Sequence, residues 1–112
     1  MHEGALCAAL LARVEGVARA AGALRVSRVR LRVGPLAGVE TELLARAFAL
    51  ARAGTLAADA DLAIEAVPVR VRCRECGSES GAGPRHLRCG ACGSHATQLL
   101  AGDELLLAGV DL

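Results

Sequence analysis

Apolar positions recur along this chain with two different periods, and the changeovers mark its elements. Over residues 4–21, Leu6, Leu10, Val14 and Val17 recur at helical spacing, and Cys7, Leu11 and Ala18 widen the stripe. Arg13, Glu15 and Arg19 lie largely off it, so the segment reads as an amphipathic helix. Gly22 stands where a C-terminal cap is expected, and Glu3 where a carboxylate faces the exposed N–H groups of a first turn. The period then drops to two. Ser27-Arg28-Val29-Arg30-Leu31-Arg32-Val33 predicts a strand with Val29, Leu31 and Val33 inward and the arginines on the other face, a solvated sheet face rather than a binding stripe. Gly34-Pro35 stops it. A second helix is expected over 41–52, with Thr41 as N-cap and Leu43, Leu44, Ala47, Phe48 and Ala51 as its apolar face, closed by Gly54-Thr55.

Residues 61–67 predict a second strand, ended by Pro68, and 104–111 a last one after a turn at Gly102-Asp103. Between them, 69–72 lead into a cysteine turn, 78–88 form a polar connection with Gly81, Gly83 and Pro84, and Leu99-Leu100 is a short apolar run. The order predicts an α+β fold, a three-stranded sheet covered on one face by two helices, with a four-cysteine zinc-ribbon-like module inserted before the last strand. The expected division is 1–68 plus 102–112 as an α/β domain and 69–101 as a zinc-binding domain.

Composition narrows the classes. Of 112 residues 54% are hydrophobic but 1% aromatic, so the core is expected to be aliphatic around Phe48. A net charge of +1 gives no global pull toward nucleic acid or an anionic membrane. No stretch approaches the ~20 apolar residues of a membrane span. The start, Met1-His2-Glu3-Gly4, lacks the positive region of a signal peptide, so a cytoplasmic setting with reduced thiols is expected.

Cys73, Cys76, Cys89 and Cys92 are written as two Cys-x2-Cys pairs, each followed by a glycine, Gly77 and Gly93. Such turns aim paired sulfurs at one point, and four converging thiolates suit tetrahedral Zn2+. Two disulfides are the alternative, in an oxidising compartment for which nothing in the sequence argues. Cys7 stands outside the scheme and reads as a small buried hydrophobe. No phosphate loop or nucleophile elbow is present and histidines are too few for a hydrolytic metal site, so no enzyme is expected. A zinc whose shell is filled by four thiolates has no open position and is structural.

The other terminus carries a second donor set. His2 follows Met1 directly, and a bulky second residue should protect Met1 from removal. The α-amine, the His2 amide nitrogen and the His2 imidazole are then in chelating reach of one ion, an array that tetragonal Ni2+ or Cu2+ accepts. A fourth donor would be the Glu3 amide or carboxylate, or a carboxylate from elsewhere.

Met1-His2-Glu3, the turn Val33-Gly34-Pro35-Leu36-Ala37-Gly38-Val39-Glu40, Gly54-Thr55, the paired knuckles and Gly102-Asp103-Glu104-Leu105 together resemble the HypA/HybF family of hydrogenase maturation factors, across essentially the whole chain. The resemblance implies a nickel metallochaperone that passes Ni2+, with a partner GTPase, into the [NiFe]-hydrogenase large subunit; some relatives also supply urease through its accessory proteins. It implies Met1, His2 and Glu3 as nickel ligands in the 1–68 plus 102–112 domain, with Glu40 as a further candidate, and Cys73, Cys76, Cys89 and Cys92 as zinc ligands. Two departures remove no ligand: Gly90 where a proline often stands, and Ala5 where a hydroxyl residue is common.

The rival is a zinc-ribbon nucleic-acid-binding module, motivated by Arg70, Arg72, Arg74, Arg85, His86 and Arg88 around the knuckles. The lack of aromatic stacking residues there and the near-zero net charge argue against it. Those arginines would equally meet acidic surface on a protein partner. His86 and His95 read as exposed loop residues rather than auxiliary ligands.

Overall fold

The computed structural model describes residues 2–112, His2 by its backbone alone. The order is α1 (His2–Ala20), β1 (Arg28–Val33), α2 (Thr41–Ala51), β2 (Asp61–Ala66), β3 (Arg70–Cys73), β4 (Glu79–Gly81), β5 (Thr97–Ala101) and β6 (Leu105–Asp111). Two compact units are built from interleaved segments: residues 2–32, 39–65 and 106–112 in one, 33–38 and 66–105 in the other.

The first unit holds both helices and a three-stranded sheet in the order β2-β1-β6, the mixed architecture expected from the periodicity. β1 alternates exposed and buried residues as read, with Val29 and Leu31 buried. Its neighbours run in opposite senses. Asp61 donates to the Ser27 carbonyl and Val67 to that of Val33, a constant offset that makes β1 and β2 parallel. Ser27 donates to Asp111 O and Gly34 to Glu104 O, the reversed offset of an antiparallel β1–β6 pair. α2 supplies the crossover that a parallel pair needs. The arginine face is solvated and partly paired: Arg30 meets Asp111 at 3.1 Å and Arg32 meets Glu65 at 3.7 Å.

The helices differ from the sequence reading in detail. On α1 the buried stripe is Cys7, Leu11, Val14 and Ala18, while Leu6 and Leu10 lie at its edge. Val17, expected inside, is 45% exposed; it sits one residue, about 100°, round the helix from Ala18. The helix closes as expected at Gly22, with Ala23 N–H donating to Ala18 O at 2.9 Å and Gly22 N–H to Arg19 O at 3.0 Å, the paired bonds of a Schellman cap. α2 buries Leu44 and Phe48, whereas Leu43 is 42% exposed. Thr41 is not the N-cap. Glu40, with extended backbone, holds that position without a side-chain cap bond. Its own N–H donates instead to Glu3 Oε2 at 3.5 Å, which draws the start of α1 to the start of α2. Burying a Phe and a row of Leu and Val side chains at about 1.5–3 kcal/mol each holds this aliphatic layer together.

The second unit contains a sheet that the sequence reading did not resolve, in the order β4-β3-β5. β3 pairs antiparallel with β4, Arg70 opposite Gly81 and Arg72 opposite Glu79, and with β5, Cys73 opposite Thr97. The connection at 78–88 is therefore partly strand, and Leu99-Leu100 lie in β5. Val33, Val67, Val69 and Val71 are buried here. Residues 33–38 are bound in by Gly34 N–H to Glu104 O (2.8 Å) and Leu36 N–H to Gly102 O (2.7 Å). That approach depends on glycine, because a Cβ at Gly34 would lie 2.1 Å from Gly102 O.

Candidate metal centre

Each cysteine pair is a tight turn of one design. Gly77 N–H donates to Cys73 O at 3.1 Å and Gly93 N–H to Cys89 O at 2.9 Å. Both glycines have left-handed backbone, φ 77° and 76°, which a residue without Cβ adopts cheaply. The turn leaves backbone N–H groups aimed at sulfur. Cys73 Sγ accepts from Glu75 and Cys76, both at 3.4 Å; Cys89 Sγ accepts from Ala91 at 3.3 Å and Cys92 at 3.4 Å. A serine completes each turn, with Cys73 N–H donating to Ser78 O at 2.9 Å and Cys89 N–H to Ser94 O at 2.8 Å. Reading the pairs as Cys-x2-Cys-Gly missed these serines, although the repeated Cys-Gly-Ser ending was visible.

The two turns bring all four ligand atoms within 4.8 Å of one another. Cys73 and Cys92 stand 3.6 Å apart at sulfur, as do Cys76 and Cys89. A tetrahedral ion with Zn–S bonds of ~2.3 Å sets its sulfurs about 3.8 Å apart, so the donor set fits such an ion. None of the cysteines is in a disulfide. Cys73 and Cys89 are buried while Cys76 and Cys92 face solvent, so one side of the cluster is open to ion entry.

Charge is divided unevenly among these thiols. The Ser78 hydroxyl and backbone N–H, followed by the Cys89 thiol, hold Cys76 at about 6. The N–H groups of Cys76 and Glu75 lower Cys73. At Cys92 the Ser94 N–H acts downward, but the Cys73 thiol, burial and the other thiols outweigh it and push the group up to about 12. A cluster that holds Cys76 ionised and Cys92 protonated is suited to a divalent cation, which replaces the retained proton.

The remaining sequence candidates fall as follows. Cys7 is buried, its Sγ 3.5 Å from Leu44 O, and burial, then the Glu3 carboxylate, raise its thiol; it is the small core residue expected. His86 and His95 are exposed and outside the sulfur cluster. Among the knuckle arginines, Arg72 is paired with Glu79 at 2.8 Å, and this partner lowers the Glu79 carboxyl. At the other terminus, Met1 and the His2 side chain lie outside the described residues. Glu3 and Glu40, far apart in sequence, are brought together by the hydrogen bond that joins them.

Comparison with known proteins converges on one family. A family model described as "Hydrogenase/urease nickel incorporation, metallochaperone, hypA" matches residues 1–112. The hydrogenase maturation factor HypA of Nitrosospira multiformis is 45% identical over 112 residues, 100% of this chain and 97% of that protein. Its counterpart in Aquifex aeolicus is 36% identical over 112 residues, again 100% and 97%. Among solved structures, a solution structure of HypA protein aligns with a TM-score of 0.74 at 25% identity, covering 100% of this chain and 96% of that one. The Ni metallochaperone HypA from Helicobacter pylori shares the fold, with a TM-score of 0.68 at 22% identity over 98% and 96% of the two chains. The match spans residues 1–112, both cysteine turns included, and this chain belongs to the HypA family of hydrogenase maturation factors, nickel-incorporation metallochaperones rather than enzymes.

Proposed function

We propose that this chain carries Ni2+ at its N-terminus and delivers it during maturation of [NiFe]-hydrogenase. The observation that carries the reading is the match of a nickel-incorporation family model across residues 1–112. Nickel is cargo here, held by the Met1 amine, the His2 amide and imidazole, and Glu3 as amide or carboxylate. Glu40 is a further donor, and the approach of its backbone N–H to the Glu3 carboxylate, at 3.5 Å, supports counting it. Nitrogen donors of this kind bind in a plane and are displaced one at a time, which favours transfer over storage. Binding requires deprotonated nitrogens, so acidification releases the ion.

Cys73, Cys76, Cys89 and Cys92 would hold Zn2+ as thiolates, and such an ion supplies folding energy rather than reactivity. The partners are a nickel-handling maturation GTPase and the hydrogenase large subunit, with urease accessory proteins as a second destination. The setting is the cytoplasm, where thiols stay reduced; among the described residues no helix is long and apolar enough to cross a membrane.

Metal analysis of two variants tests this. His2→Ala, or an extension placed before Met1, should lose nickel and keep one equivalent of zinc. Cys73→Ser should lose zinc and leave residues 66–105 poorly protected against hydrogen exchange. Undiminished nickel binding by the extended protein would show that the N-terminal site is wrong.

A further inference from the structure

α2 carries two apolar stripes. Leu44 and Phe48 enter the core, while Leu43, Ala47 and Leu50, at i, i+4 and i+7, line an open groove of about 470 Å³ with Glu3, Gly4 and Ala5. Leu50 is 82% exposed, so little of its apolar surface is covered within the fold. A stripe of this spacing runs along about 10 Å of one helix face, two turns, the footprint of a helix laid alongside. The opposite wall is small: a Cβ added at Gly4 would meet nothing within 4 Å, so a partner backbone has room to approach. No charge interrupts the exposed side of α1 between Glu3 and Arg13. The charge at the groove's end is acidic. Glu3 lines it, Glu40 and Glu42 stand at the same end of α2, and neither of the latter is in an ion pair among the described residues.

We propose that this groove docks an amphipathic helix of a partner protein, leucine-faced and carrying lysine or arginine at the end that meets Glu42. Charge complementarity selects this occupant. A second copy is disfavoured, because a two-fold axis at Ala47 would put both Arg46 side chains on one flank beside it, like charge against like. Since Glu3 is shared between the groove and the nickel site proposed above, the docked helix belongs to the protein that gives or takes the ion; that identification, though not the groove, rests on the nickel reading.

The probe is a pair of dye-labelled synthetic peptides of about four helical turns, with the same leucine stripe and either lysine or glutamate at one end. They are titrated into wild type, Leu43→Asp/Leu50→Asp and Glu42→Arg, with backbone amide shifts, nickel content and sedimentation followed in parallel. The lysine peptide should bind at least tenfold more tightly than the glutamate peptide and shift the amides of Leu43, Ala47 and Leu50. The double variant should lose that binding with nickel content and helix content unchanged, and Glu42→Arg should abolish the preference for lysine. The proposal is overturned if neither peptide binds, if the double variant binds equally well, or if charge makes no difference. It is also overturned if wild type self-associates through this face and the double variant does not. Nickel content of wild type reports separately on the N-terminal site.

Discussion

At the scale of single residues, the tightest constraint is the meeting of Gly34 and Gly102. A Cβ on Gly34 would fall 2.1 Å from the Gly102 oxygen and 2.2 Å from its carbonyl carbon. A Cβ on Gly102, whose φ is 122°, would fall 2.9 Å from the Val69 Cα. Backbone cannot step aside as a side-chain tip can, so Gly34→Ala should cost about 3 kcal/mol, the upper end for overpacking. Denaturant unfolding of the zinc-loaded protein measures it, and a midpoint unchanged from wild type would contradict the close approach. From the sequence, Gly34-Pro35 reads only as a strand stop and Gly102-Asp103 only as a turn, because the two glycines face each other across a sequence distance that no local pattern spans. The cysteines are the opposite case. Their spacing and following glycines announce the turns locally, and the N–H groups at sulfur follow from the turn.

At the scale of elements, the paired knuckles act as one proton store. A Zn2+ ion held there would take all four sulfurs as thiolates. At pH 7.5 Cys76, held near 6, is already ionised, whereas Cys92, pushed up to about 12, still has its proton to give. Loading at this pH therefore releases fewer protons than there are ligands. Below about pH 6, Cys76 is also protonated before the ion arrives, so release rises and affinity falls. Calorimetry of Zn2+ binding in buffers of different ionisation enthalpy, at pH 7.5 and 5.5, should find the larger release at the lower pH; equal release would contradict the division of charge. Elements were legible where a period had room to repeat: β1 alternates over Arg28–Val33, and α1 and α2 each show a stripe. Strands such as β3, with 4 residues, and β4, with 3, are too short to declare a period. On α2 the sequence offers two adjacent stripes, and which faces inward is decided by the layer it packs on. Its cap was unreadable for a similar reason, since the group that meets the Glu40 N–H comes from α1.

At the scale of the whole molecule, β6 bears a consequence for how the protein folds. It pairs with β1 only after the chain has travelled from Ala66 to Leu105 through the cysteine turns. Closing a loop of that length costs configurational entropy before any strand pairing compensates it. In the folded unit, however, the two ends of the excursion are already together, with Gly102 packed on Val69. Once the ion has gathered the four thiols, β6 faces a closure of a few residues instead of several tens, a saving of about 1–2 kcal/mol on the logarithmic scale. Refolding should therefore be up to about tenfold faster with Zn2+ present from the start than when it is added afterwards, with α1 and α2 forming at similar rates in both. Stopped-flow fluorescence of a dye on β6 would follow the closure, far-ultraviolet dichroism the helices. The metal would then act on this chain before it is native as well as after, as a shortening of the path between its strands.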